Sequence, residues 1–102
     1  MKMEERKPAV CICGGGSQGH ISAGVIGSNS NYIVNVLTRR PKSWSHDFTT
    51  IDLTGKEYKA AIHTISDDPA IFAQSYIVLI CLPGYAIGEQ LQRIKTHLSP
   101  HT

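Results

Sequence analysis

The chain has 102 residues, room for one small domain. Its apolar fraction of 41% suffices for a globular core, and its net charge of +2 is too small to draw nucleic acid by bulk electrostatics. No apolar run reaches the ~18 residues a membrane-spanning helix needs, so no membrane partner is expected.

Residues 1–7 read Met-Lys-Met-Glu-Glu-Arg-Lys, with charge where an export signal needs an apolar core. Residues 1–8 read as a flexible lead-in, and a cytoplasmic protein is expected. Ala9–Cys13 is short and wholly apolar, as suits a central parallel strand covered on both faces. A glycine cluster follows at once. Gly14, Gly16 and Gly19 fit Gly-x-Gly-x-x-Gly, the pattern of a dinucleotide-binding turn. Gly14 lets the chain turn off the strand, Gly16 leaves room for a pyrophosphate, and Gly19 lets a helix sit close. The amides of Ser17 and Gln18 then face the phosphates from a helix N-terminus. A flexible glycine-rich loop is the alternative, and the neighbouring elements decide between the two.

The spacing predicts a helix over residues 18–26, with Ile21 and Val25 on one face and the small Ala23 and Gly24 permitting close packing. Gly27 and the polar residues 28–31 end it. Residues 32–38 are rich in β-branched side chains and form the second strand. Strand, glycine turn, helix, strand is a right-handed βαβ unit, which favours the dinucleotide reading over the flexible loop. Residues 42–47 read as a turn or short helix carrying Trp44, a packing aromatic. Residues 48–53 and 58–65 read as a hairpin turning at Gly55, with residues 62–65 joining the main sheet as its third parallel strand.

Asp67 or Asp68 caps a short helix over residues 69–73 that opens on Pro69. Residues 76–82 are the strongest apolar run and read as another buried parallel strand, stopped by Pro83 and Gly84. The last helix spans residues 86–98, with Ile87, Leu91, Ile94 and Leu98 inward and Glu89, Gln90, Arg93 and Lys95 toward water. Cys11, Cys13 and Cys81 lie in apolar runs with no second ligand pair at zinc spacing, so they read as buried, reduced thiols. The histidines are scattered, and no metal site is expected.

The fold class is therefore α/β: a Rossmann-type parallel sheet of order 3-2-1-4 with an inserted hairpin. Three strand ends converge where the order reverses: Gly14, Gly15 and Gly16; Thr38, Arg39 and Arg40; and Leu82 with Pro83. The first holds the pyrophosphate and the third lines the path to the nicotinamide. At the second, arginines stand where an NAD enzyme carries an acid. A carboxylate repels a 2′-phosphate and an arginine grips it, so NADP(H) is favoured. Thr38 can serve a 2′-hydroxyl, so NAD(H) stays open.

Four segments carry a resemblance to a known family: Cys11-Ile-Cys-Gly-Gly-Gly-Ser-Gln-Gly-His20, Val36-Leu-Thr-Arg-Arg-Pro-Lys-Ser-Trp44, Ile65-Ser-Asp-Asp-Pro69 and Val78-Leu-Ile-Cys-Leu-Pro-Gly84. Over residues 9–98 the chain resembles the N-terminal domain of the NAD/NADP octopine/nopaline (opine) dehydrogenases. The family's glycine segment carries Asn-Gly where this chain has Ser17 and Gln18. The resemblance implies a wider kinship with glycerol-3-phosphate and ketopantoate reductase-type enzymes. It also implies reductive condensation of an amino acid with a 2-oxo acid, using NAD(P)H. In that family the catalytic His and Asp belong to a C-terminal substrate domain. This chain stops at Thr102, so no catalytic residue is carried over, His20 is not made the proton donor, and residues 9–102 alone are expected to be inactive. A non-catalytic nucleotide-binding or self-associating module is the alternative, since the strand at 76–82 is left near a sheet edge, where a second copy can pair.

Overall fold

The protein is described here from a computed structural model covering residues 7–14, 16–82 and 84–98. Most of the lead-in lies outside the described residues, as do Gly15 and Pro83. Ala9–Cys13 forms β1 and lies inside a parallel sheet, where a wholly apolar strand belongs. It pairs on one side with β2 (Ile33–Leu37) and on the other with β6 (Ser75–Ile80). β2 in turn pairs with the short β5 (Thr64–Ser66). The order β5-β2-β1-β6 is the expected 3-2-1-4 once the separate hairpin is set aside. That hairpin joins β3 (Asp47–Ile51) to β4 (Glu57–Ala61), antiparallel.

Because side chains alternate along a strand, β1 feeds two cores. Ile12 joins Val34, Val36, Trp44, Ala60 and Ile62 on one face, with Ala23 from α1 (Ser17–Gly27). Cys11 and Cys13 join Leu37, Phe72 and Ile94 on the other. All three cysteines are free thiols. Burial pushes Cys11 far above the ordinary thiol range and raises Cys13 as well, so neither offers a thiolate at neutral pH.

Several expectations shift, each because packing between distant segments overrides a local pattern. Ile21 and Val25 do not face the core: they are 54% and 38% exposed. The buried side of α1 is its small-residue side. Ala23 meets the sheet, and Gly24 lies against Thr50 and Phe48 of the hairpin. The hairpin arms end earlier than predicted, at Ile51 and Ala61. Ile62 is drawn into the core, and His63 N–H donates to Val34 O at 2.8 Å, leading the chain into β5. The segment after Asp68 is a 3₁₀ helix, Pro69–Gln74, and not an α-helix. Asp68 is its cap, accepting from Ala70 N–H at 2.9 Å.

β6 is an edge strand among the described residues, so Tyr76 and Ile77 are exposed rather than buried. The final helix, α2, starts two residues early (Gly84–Ile94) and ends in a 3₁₀ turn, Lys95–His97. Ile94 is buried as expected, but Leu91 is exposed and Gln90, predicted to face water, is buried. The Gln90 amide hydrogen-bonds the Cys13 thiol and accepts from Arg93 Nη1 at 3.3 Å, so the buried face is rotated toward the end of β1.

One carboxylate organises the hairpin turn. Asp52 accepts from Thr54 N–H (2.8 Å), Thr54 Oγ1 (2.6 Å), Lys56 N–H (3.1 Å) and the Tyr58 hydroxyl (2.9 Å). These donors, the Thr54 hydroxyl foremost, lower its pKa from 3.8 to about 2. A lowered carboxylate pKa gives stability that is fully present above the ordinary value and lost as pH falls through the folded one. The turn is therefore expected to loosen between about pH 4 and pH 2, with the sheet intact at the start of that window. Amide exchange at Thr54 and Lys56 checks it, and Asp52→Asn should show the loosened turn already at pH 7.

Candidate functional site

The carboxyl ends of β1, β2, β5 and β6 are laced together at and just beyond the strands. Gly14 N–H donates to Leu37 O at 3.0 Å, Cys81 N–H to Cys13 O at 2.8 Å, and Thr38 N–H to Ser66 O at 2.9 Å. The glycine turn leaves the sheet from this frame. Gly14 has φ +125°, a region that L side chains rarely enter. A Cβ there would run into the Cys81 carbonyl oxygen and lie 3.2 Å from the Leu82 side chain. A Cβ on Gly19 would run into the Gly14 carbonyl oxygen, so helix and turn touch through bare backbone.

Gly16 is different. It is the N-cap of α1, in extended conformation (φ −82°, ψ −166°), and a Cβ on it would meet nothing within 4 Å. The first helical bond is His20 N–H to Gly16 O, at 3.0 Å. The N–H groups of Ser17, Gln18 and Gly19 precede that bond, and the N-cap Gly16 has no side chain with which to cap them. The result is an unobstructed spot beside three helix-start donors, the geometry an anionic group needs.

Next to the turn is a cleft of about 560 Å³, within the range of small-molecule sites. Its floor is Cys13, Gly14 and Leu37; one wall is Thr38, Arg39 and Arg40. Thr38 is buried, and its Oγ1 accepts from Arg40 N–H at 3.2 Å, so the hydroxyl is oriented by the backbone beside it. Both arginines are exposed at the rim. Leu82 lines the same cleft, so the ends of β2 and β6 border one space.

No protein-family model matches the chain. The chain is 33% identical to tauropine dehydrogenase from Arabella iricolor over 104 residues, which covers 89% of this chain and 26% of that protein. A solved structure of octopine dehydrogenase in its NADH–pyruvate form aligns with a TM-score of 0.85 at 26% identity, over 94% of this chain and 28% of that one. The chain is a homologue of the opine dehydrogenases.

This opine-dehydrogenase homologue spans about a quarter of the length of the curated relatives it matches. Its fold is Rossmann-like, as the sequence pattern predicts. A 2-dehydropantoate 2-reductase from Porphyromonas gingivalis shares that fold at a TM-score of 0.71 and 14% identity, over 95% of this chain and 37% of that one.

The second wall of the cleft is absent from the sequence reading. Tyr85, Glu89 and Arg93 of α2 line it, and Asp67 closes one end. Glu89 and Arg93 were expected merely to face water, and Asp67 merely to cap. The available signal is their spacing: 85, 89 and 93 recur every four residues, one stripe of a helix that starts at the end of β6. Three arginines against two carboxylates make the cleft an anion-favouring one.

Proposed function

We propose that residues 9–102 are the NADP(H)-binding domain of an opine-type dehydrogenase. The reading is supported most directly by the open approach at Gly16, beside three helix-start donors and next to a cleft rimmed by Arg39 and Arg40. The octopine dehydrogenase neighbour in its NADH–pyruvate form supports a nicotinamide dinucleotide and a 2-oxo acid as the classes of ligand.

In this reading the N–H groups of Ser17, Gln18 and Gly19 receive the pyrophosphate, with Gly14 and Gly16 shaping its approach. Thr38 takes a ribose hydroxyl, Arg39 and Arg40 take the 2′-phosphate, and Leu82 gives the cleft an apolar flank. When bound, the nicotinamide supplies the hydride that reduces the condensation product of an amino acid and a 2-oxo acid. The chain's own residues bind and orient; they move no proton in that step. The resemblance to the opine dehydrogenases implies acid–base groups on a separate substrate domain, and no residue described here is assigned that role.

Parallel titrations of the chain with NADPH and NADH test the cofactor assignment. The parent is expected to prefer NADPH. Arg39→Ala is expected to weaken NADPH about tenfold, the size of one charge-assisted hydrogen-bonded contact, and to leave NADH within about twofold. Equal affinities that ignore the substitution would remove the 2′-phosphate site.

A further inference from the structure

His20 lies in the first turn of α1, and its ring makes contacts that its sequence position does not announce. Its Nδ1 lies 3.2 Å from Gly16 O, the same carbonyl that accepts the His20 backbone N–H at 3.0 Å. A carbonyl only accepts, so this bond requires a proton on Nδ1. The imidazole face is stacked on Trp44, with centroids 3.6 Å apart and planes 14° from parallel. Phe48 of β3 closes the group, meeting each of the other two rings edge-on at 5.9 Å.

Trp44 is tied in turn to the arginine wall. It ends the Pro41–Ser43 turn, donating from its backbone N–H to Pro41 O at 3.2 Å. Ser43 grips Arg40 O through its N–H (3.0 Å) and its Oγ (2.8 Å). Among the described residues the buried indole N–H of Trp44 has no hydrogen-bond partner. Its ring is therefore placed by its faces, and one face rests on His20.

We propose that His20 is a positioning residue that braces the phosphate turn against the loop carrying Arg39 and Arg40. The inference rests on the cofactor reading above. Gly16 has no side chain to restrain the Gly16–Ser17 peptide. Rotating it would turn a carbonyl oxygen toward the spot where an anion has to sit. The doubly anchored Gly16 oxygen resists that rotation. The stack makes the same ring the stop against which Trp44, and through the Pro41–Ser43 turn the arginine wall, is set. One side chain thus holds both ends of the adenosine diphosphate site in register.

Two variants of the full chain separate the two jobs. His20→Ala removes the bond and the stack; His20→Phe keeps a stacking face and removes only the bond to Gly16 O. Emission of Trp44, the single tryptophan, reports the stack without any ligand. His20→Ala is expected to shift that emission to the red and to weaken NADPH about tenfold, within what a lost hydrogen bond and ring pair support. His20→Phe is expected to restore the emission and the thermal midpoint while NADPH binding stays about fivefold weaker. Full recovery of affinity in His20→Phe would reduce His20 to packing and overturn the proposal. So would His20→Ala binding NADPH within twofold of the parent. A parent chain that binds neither NADPH nor NADH would instead overturn the cofactor reading, and the brace with it.

Discussion

Gly16→Ala is expected to fold and melt like the parent chain and to bind NADPH about thirtyfold more weakly or worse. The two halves of that result have separate causes. The Gly16 backbone is in an extended conformation open to any residue, and a Cβ there has only empty space around it. The fold therefore gives no reason for glycine at this position. A ligand does: a methyl group at the N-cap holds a phosphate off the donors that follow it. Losing one well-made hydrogen bond to a charged group costs about 2 kcal/mol, which is the thirtyfold figure. Calorimetric titration with NADPH, paired with a circular-dichroism melt, reads both halves. Undiminished affinity would mean that the pyrophosphate does not cross Gly16, and the glycine turn would lose its assigned role.

The other two glycines of the motif are expected to give the opposite pattern. Gly14→Ala combines a backbone conformation reserved for glycine with a clash against the Cys81 carbonyl. Strain of that kind costs about 1–3 kcal/mol and overpacking a similar amount, so about 4 kcal/mol together. In a domain of this size that lowers the melting midpoint by roughly 15–30 °C. Gly19→Ala is the more diagnostic change because its sign is reversed. Alanine in a helix ordinarily gains about 1 kcal/mol over glycine. Here the Cβ meets the Gly14 carbonyl, so the substitution is expected to destabilise. A Gly19→Ala chain that melted higher than the parent would show that helix and turn do not touch as described. Affinity measured on whatever folded fraction remains should fall less than in Gly16→Ala, since neither Cβ enters the open approach.

This division of labour within one motif was legible in the residues, and so was much of the frame around it. An apolar five-residue run, a glycine cluster and a β-branched run define β1, the turn and β2, because each depends on local chemistry. The alternation of Cys11 and Cys13 with Ile12 already assigned the thiols to one face, and the sheet bears that out. The strand order followed from the Rossmann-type pattern that a glycine turn inside a βαβ unit announces. The arginines after β2 were visible for the same reason: in a parallel sheet, whatever follows a strand's carboxyl end faces the ligand side.

Other features depend on segments that meet only in three dimensions. Ile21 and Val25 looked like a packing face, but the hairpin reaches α1 from the other side and selects its small residues instead. Gln90 looked solvated until α2, starting at Gly84, turned it onto Cys13. Tyr85, Arg93 and Asp67 entered the cleft because α2 and the β5 end border one space. The His20–Trp44 stack joins residues 24 positions apart with no pattern linking them. By itself, then, the sequence determined the sheet, the turn and the basic strand end, all set by local conformational preference. The tertiary structure decided which helix faces pack, what walls the cleft and what braces Gly16, because those are contacts between elements that no single stretch encodes.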